Sequence, residues 1–189
     1  MSAQHEYHTV EIAGLTRHLP IFQVAPGVRI AVFNMLGDTN VVKASAAVLA
    51  EQLRLRGIQA EVLVTAEAKS IPLIYEMSAL MGLPYVVLRK TYKLYMGDAL
   101  RAETLSITTG EPQTLFLDEK DRDAITGKRA ILVDDVVSTG STLEGMRSIV
   151  GKAGAIPVAT AAVFTEGTNE GWRDVIALGN LPVFVETAA

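Results

Sequence analysis

The sequence has no cysteine among its 189 residues. Disulfides and thiolate metal sites are excluded, and a reducing compartment is expected. It has no lysine- or arginine-rich run, and its formal charge is −4. That leaves no electrostatic footprint for nucleic acid. No apolar run approaches the roughly 18 residues needed to span a bilayer. The opening residues, Met1 to His8, are polar and mildly acidic. They lack the basic start and apolar centre of a secretion signal. Neither Gly-x-Gly-x-x-Gly nor a Walker loop is found. Repeats, low-complexity segments and long linkers are absent as well. What is there is an ordinary globular composition, 49% apolar and 20% charged. The length suits one domain with a full core. A cytoplasmic protein with no nucleic-acid and no membrane partner is expected.

Apolar runs and helical periods alternate along the chain. Val28 to Phe33 reads as a strand. Asp38-Thr39-Asn40 can cap a helix running to Arg56, with an apolar stripe at Val42, Ala46, Leu49 and Leu53 and a stop at Gly57. Glu61 to Val64 is a short buried strand. Ile71 to Met81 has a helical period and ends at Gly82-Leu83-Pro84. Tyr85 to Leu88 and Ala130 to Val133 are further strands, followed by a helix from Thr142 to Ala153 and a β-run from Ile156 to Phe164. Strand–helix alternation of this kind predicts an α/β fold, a doubly wound and mostly parallel sheet. Arg89 to Gln113 breaks the rhythm. It is polar, and alternation over Glu103 to Thr108 suggests a β-hairpin in a long functional loop. The first 27 and last 20 or so residues also stand outside the rhythm and are expected to form a small cap.

The chemistry concentrates in Ile131-Leu132-Val133-Asp134-Asp135-Val136-Val137-Ser138-Thr139-Gly140-Ser141-Thr142. In open parallel sheets, ligands bind beyond the carboxyl ends of the strands. Two acids stand at such an end here, and a hydroxyl-rich turn leads into a helix. Ser141 to Glu144 fits a capping box, with Ser141 as N-cap. A helix N-terminus exposes unpaired N–H groups and suits phosphate. Gly140 lets the backbone approach closely. The carboxylates would repel a phosphate, so they must face sugar hydroxyls, a metal or a cation-like carbon. A phosphate on the loop with a polyol on the acids describes a sugar phosphate. Taken alone, a strand ending in two acids is as often structural. The full pattern is far more specific.

This stretch resembles the phosphoribosyl pyrophosphate signature of the type I phosphoribosyltransferases. The resemblance implies that Asp134 and Asp135 hold the ribose hydroxyls and act in catalysis with Lys90. It implies that Val137, Ser138, Thr139, Gly140, Ser141 and Thr142 wrap the 5-phosphate. Thr65 to Pro72 is similar to the family's pyrophosphate loop, in which an often cis peptide aims N–H groups at the diphosphate. That would give Glu67, Ala68, Lys69 and Ser70 a pyrophosphate role, joined by Arg89, Lys90 and Lys93 after the next strand. Alone, Lys69 would read as a solvated lysine and the Arg89-Lys90 pair as a surface patch.

The motif order resembles the purine branch, the adenine and xanthine enzymes. The implied fold is a single domain, 1–189, with a core of about 28–165, a hood from about 1–27 and 166–189 and a flexible hairpin flap of about 90–113. The implied activity transfers phosphoribose to a purine base. Mg²⁺ would be bound mainly through the substrate, with no direct protein ligand, and a homodimer is implied. Phe33, Asn34, Phe164 and Trp172 are base-pocket candidates, although aromatics at strand ends are more often core, and the Glu166 to Glu170 loop is placed to contact the base through backbone groups. One feature departs from the adenine pattern: Thr108 stands where a flap glutamate would, and Glu103 or Glu111 are the nearest substitutes. The base therefore stays open between adenine and xanthine types. The rival reading is a non-catalytic, phosphoribosyl-pyrophosphate-binding regulatory protein, as in the purine repressors. Those carry an added DNA-binding domain that is not expected here.

Overall fold

The computed structural model describes residues 6–105, 112–168 and 170–185. The chain opens with β1 (Tyr7–Ile12), β2 (Leu15–Ala25) and β3 (Val28–Ala31). Helix α1 (Thr39–Leu55) leads to β4 (Val62–Ala66), α2 (Ile71–Met81) and β5 (Tyr85–Leu88). A hairpin of β6 (Leu100–Leu105) and β7 (Pro112–Leu117) and one turn of helix, α3 (Arg122–Ile125), follow. Then come β8 (Arg129–Val137), α4 (Ser141–Lys152), β9 (Ile156–Glu166), β10 (Val175–Leu181) and β11 (Val183–Val185).

Five strands form one sheet in the order β10-β9-β8-β4-β5, and every pairing in it is parallel. The apolar runs of β4 and β8 make this possible, because a strand covered on both faces needs no polar side. Alternate residues supply two cores. Leu63, Ile131 and Val133 pack with α1, α2 and the antiparallel sheet. Val62, Val64 and Leu132 pack with α4 and the hairpin. The chain moves outward from β4 to β5, then returns to the other side of β4 as β8. Strand order reverses between β4 and β8, which sets the ligand crevice at their carboxyl ends.

Local signals fix the helices. The Asp38 carboxylate accepts from the Val41 N–H at 3.1 Å, which caps α1. Pro72 sits in the first turn of α2, and Gly82 closes that helix with φ +66°. Arg17 on β2 ties the antiparallel sheet to the α1 cap through a two-pronged pair with Asp38, at 2.6 and 3.1 Å.

Four features differ from expectation. Val28–Ala31 does not begin the parallel core. It pairs antiparallel with β2 and β11, so the hood sheet runs β1-β2-β3-β11. Arg29 in its middle explains this, since a half-exposed antiparallel strand tolerates a charge that a central parallel strand does not. Val175–Leu181 is not hood but the edge strand of the parallel sheet. Gly179 and Asn180 hide its β-character. Gly179 is needed there, because a Cβ would lie 2.9 Å from Phe164 Cε1. Strand β8 runs on to Val137, so both acids lie within the strand rather than after it. The α4 N-cap is Gly140, in the left-handed region at φ +84°, and no side chain caps the helix. The Ser141 capping box does not form, and the Glu144 N–H instead bonds the Gly140 carbonyl at 2.9 Å.

The hairpin begins earlier and ends later than its sequence alternation suggested. Its root is buried, with Ala102, Leu115 and Leu117 in the second core. Reciprocal bonds of 2.8 Å between Arg89 and Phe116 stitch it to the end of β5. Its tip, with Thr108 and Glu111, lies outside the described residues, while Glu103 is exposed on β6 opposite Thr114. Among the described residues, no helix is long and apolar enough to cross a membrane.

Candidate active site

Three clefts meet at the carboxyl end of β8, and Val136 lines all of them. The first, about 230 Å³, is walled by Val137 to Leu143 with Gln113 and Asp134. Ser138 to Thr142 follow β8 directly, and the left-handed Gly140 turns the chain into α4. Without a side-chain cap, the first N–H groups of α4 are left for a ligand. Within the loop, Thr139 Oγ1 lies 3.1 Å from Ser141 Oγ. The Trp172 indole rests on Gly140. A Cβ there would lie 2.3 Å from Trp172 Cη2. Gly140 is thus required twice, by dihedral and by space.

The second cleft, about 190 Å³, joins the first through Asp134 and Thr142. Ala66 to Ser70, Lys90 and Asp135 complete it. A buried hydroxyl pair fixes the loop after β4. Thr65 Oγ1 lies 2.7 Å from Ser70 Oγ and donates to the Val133 carbonyl at 2.7 Å. Ser70 Oγ also donates to the Ala66 carbonyl at 3.0 Å. The Ser70 hydroxyl is therefore committed to the loop itself, and Thr65 is a supporting residue that sequence reading passed over. The Glu67–Ala68 peptide is cis. Glu67 accepts from Arg89 Nε and from the Lys90 N–H, each at 2.6 Å.

The three cations after β5 separate. Lys90 and Lys69 line the second cleft. Arg89 turns outward onto Glu67 and lines a surface groove with Tyr85, Asp118 and Lys120 instead. Lys93 is exposed and lines none of these clefts. The pairing with Glu67 explains Arg89, because a bidentate-capable guanidinium follows the nearest carboxylate.

Asp134 and Asp135 alternate across the strand. Asp134 faces the first and second clefts and Asp135 the second and third. Asp134 is 7% exposed, and its Oδ1 accepts the Asp135 N–H at 2.9 Å. Burial pushes its carboxyl well above the usual range, and the charge on Asp135 adds to this. Lys90 opposes it. An acid in this state favours a ligand that donates hydroxyls or brings positive charge.

The third cleft, about 230 Å³, lies between β8 and the hood. Ile30 to Phe33 and Leu181 give it apolar walls, with Lys69, Asp135, Ser138 and Glu166 at its margins. Phe33 lines it, braced edge-to-face by Phe164 at 5.0 Å. Phe164 stands behind as core, 2% exposed. Asn34 is exposed, and its side chain accepts from the Leu36 N–H at 3.2 Å in a local turn. Sequence reading gave Glu166 a backbone role at most. The only signal for its side chain is an acid placed at the end of an otherwise apolar strand.

Among the described residues, no three ligating side chains come together to hold a metal. Asp134 and Asp135 are oxygen donors of the kind that can share a divalent cation with a ligand in the second cleft.

Residues 34–177 match the phosphoribosyl transferase domain family. The purine biosynthesis transcriptional activator PurR of Lactococcus lactis is 27% identical over 86% of this chain. The hypoxanthine/guanine phosphoribosyltransferase of Methanocella paludicola is 27% identical over 70% of it. The chain spans 58% of the first relative's length and 64% of the second's. Adenine phosphoribosyltransferase from Thermoanaerobacter pseudethanolicus superposes with a TM-score of 0.66 at 24% identity, covering 77% of this chain and 84% of that one. The Giardia lamblia enzyme, complexed with 9-deazaadenine, also reaches 0.66 at 16% identity, over 92% and 93% of the two chains. These two likenesses show the fold.

Proposed function

We propose that this chain, which belongs to the phosphoribosyl transferase domain family, transfers phosphoribose from phosphoribosyl pyrophosphate to a purine base. The observation that carries this reading is the run of three clefts around the end of β8. A 5-phosphate suits the first, the diphosphate the second, and the base the third.

The base nitrogen attacks C1 of the ribose as the C1–O bond to the diphosphate breaks. The diphosphate leaves with that electron pair, and the base gives up its N–H proton. Positive charge builds on C1 and the ring oxygen, and negative charge on the leaving group. Asp134 and Asp135 offset the first, while Lys69 and Lys90 offset the second. Beside Asp134 and Asp135, Mg²⁺ held mainly through the substrate would supply further neutralisation of the diphosphate. Arg89 acts at one remove, holding Glu67 and with it the loop that carries Lys69.

A regulatory reading has one observation in its favour, the PurR relative matched over 86% of this chain. Pyrophosphate release with phosphoribosyl pyrophosphate, Mg²⁺ and adenine, hypoxanthine, guanine or xanthine separates the two. Release with at least one base supports transfer. Tight binding of phosphoribosyl pyrophosphate with no release for any base supports the regulator.

A further inference from the structure

Strand β9 ends on Glu166, paired in register with Leu181 of β10. Its side chain lines the third cleft, across from the hood residues Ile30 to Phe33. Among the described residues it has no hydrogen-bond donor and no cation partner, and burial alone raises its carboxyl above the usual range. The neighbouring backbone is already used. The Gly167 N–H donates to the Leu181 carbonyl at 2.9 Å, and the Gly167 carbonyl accepts from Asn180 Nδ2 at 2.8 Å. On the hood side, the Val32 N–H donates to the Pro20 carbonyl at 2.9 Å. Of the four polar side chains at the margins of this apolar cleft, Lys69 and Asp135 also line the second cleft and Ser138 the first, whereas the Glu166 carboxylate lines the third and neither of the other two.

We infer that Glu166 is the specificity-determining residue of the base cleft and that it selects a purine with two adjacent N–H donors on its six-membered ring, the N1–H and 2-amino edge of guanine. This rests on the assignment of the third cleft to the base. A carboxylate has acceptors only, side by side, and this edge of guanine offers donors at the matching spacing. Hypoxanthine offers the N1–H flanked by an acceptor oxygen. Adenine offers one amino group beside a ring-nitrogen lone pair. Xanthine flanks its N1–H with two oxygens. Adenine and xanthine set a lone pair against the carboxylate, hypoxanthine meets its second oxygen with only a C2–H, and a half-buried acceptor left unpaired is costly.

The test uses bases that bind without reacting. 9-Deazaguanine and 9-deazahypoxanthine have carbon in place of the attacking nitrogen, so their dissociation constants report recognition whether or not the protein turns over. They are measured by calorimetry on the full chain loaded with phosphoribosyl pyrophosphate and Mg²⁺, for the wild type and for Glu166→Gln. A glutamine carries one acceptor and one donor, which suits the N1–H and O6 of hypoxanthine. The wild type is expected to prefer the guanine analogue by about tenfold or more. In Glu166→Gln that preference should vanish or reverse, with affinity for phosphoribosyl pyrophosphate unchanged. Equal preference in wild type and variant overturns the inference, as does a wild type that favours the hypoxanthine analogue. Wild-type preference lost in the variant, without turnover of any natural base, sinks the transfer reading and leaves Glu166 as the base reader of a binding protein.

Discussion

Replacing Gly140 with alanine probes the turn between β8 and α4 through two separable costs. The first is conformational. At φ +84° an L-residue sits in the left-handed region, at a cost of roughly 1–2 kcal/mol. The second is steric. The new Cβ would stand 2.3 Å from Trp172 Cη2 and 3.2 Å from Cζ2 and Cζ3. An indole is rigid, so the ring must swing off the loop, and overpacking of this kind costs about 1–3 kcal/mol. The lower unfolded-state entropy of alanine returns about 0.4–1 kcal/mol. The net loss should be about 2–4 kcal/mol in unfolding free energy. Urea denaturation followed by far-UV circular dichroism is the assay, because the chain has one tryptophan and a partner variant removes it. In a Trp172→Ala background the steric part disappears, and Gly140→Ala should cost only about 1 kcal/mol. The difference between backgrounds is the coupling of the two positions, expected at 1 kcal/mol or more on the usual scale of about 0.5–3 kcal/mol for residues in contact. The same penalty in both backgrounds, or a loss below about 0.5 kcal/mol in the wild type, would refute the reasoning.

Asp134→Asn should stabilise the fold while impairing transfer at least about tenfold. The native carboxyl titrates above its unfolded value. Its favourable contribution is therefore present only below the unfolded pKa and is lost as pH rises through the folded one. The variant's advantage in thermal melts should be about 1 kcal/mol or more at pH 8 and vanish near pH 4. An advantage largest in acid contradicts this. Arg17→Met removes the clamp between the hood and the α1 cap. Arg17 depresses the Asp38 carboxyl, chiefly by hydrogen bonding, so the stability it confers is present above the unfolded pKa and lost as pH falls through the folded one. The gap between wild type and variant should be full at pH 7 and close below about pH 4, and a gap that widens in acid would rule the clamp out. Lys90→Met should raise the apparent Kd for phosphoribosyl pyrophosphate and flatten its salt dependence, whereas Lys93→Met should change neither. Equal effects from the two lysines, read in binding titrations at two salt concentrations, would put the diphosphate elsewhere.

Legibility in the sequence tracked how local each signal was. Helix α2 and strand β5 were readable to the residue, because Pro72 opens one and Gly82-Leu83-Pro84 separates them. The turn from Ser138 to Thr142 was readable as a helix entry because its residues are contiguous, although the end of β8 was placed too early, before the two acids. Strand β3 was misassigned to the parallel sheet because four residues do not show which partners they pair with. Strand β10 was missed because Gly179, kept small by Phe164, breaks its β-pattern. The split among Arg89, Lys90 and Lys93 depends on Glu67, more than twenty positions earlier in the chain, and no spacing rule reveals that pairing. The third cleft was the least legible part. It draws on the end of β3, the end of β9 and the last residue of β10, which only the closed hood brings together. Glu166 becomes a candidate reader only when the apolar walls around it are visible.

The most direct test of transfer is mass spectrometry of the product. The full chain is incubated with phosphoribosyl pyrophosphate, Mg²⁺ and an equimolar mixture of the four purines, and nucleoside 5-monophosphates are sought against a control without protein. A new nucleoside monophosphate formed in step with pyrophosphate is the predicted result, with guanosine monophosphate dominant. Phosphoribosyl pyrophosphate bound but unconsumed, with no nucleotide from any base, would contradict transfer.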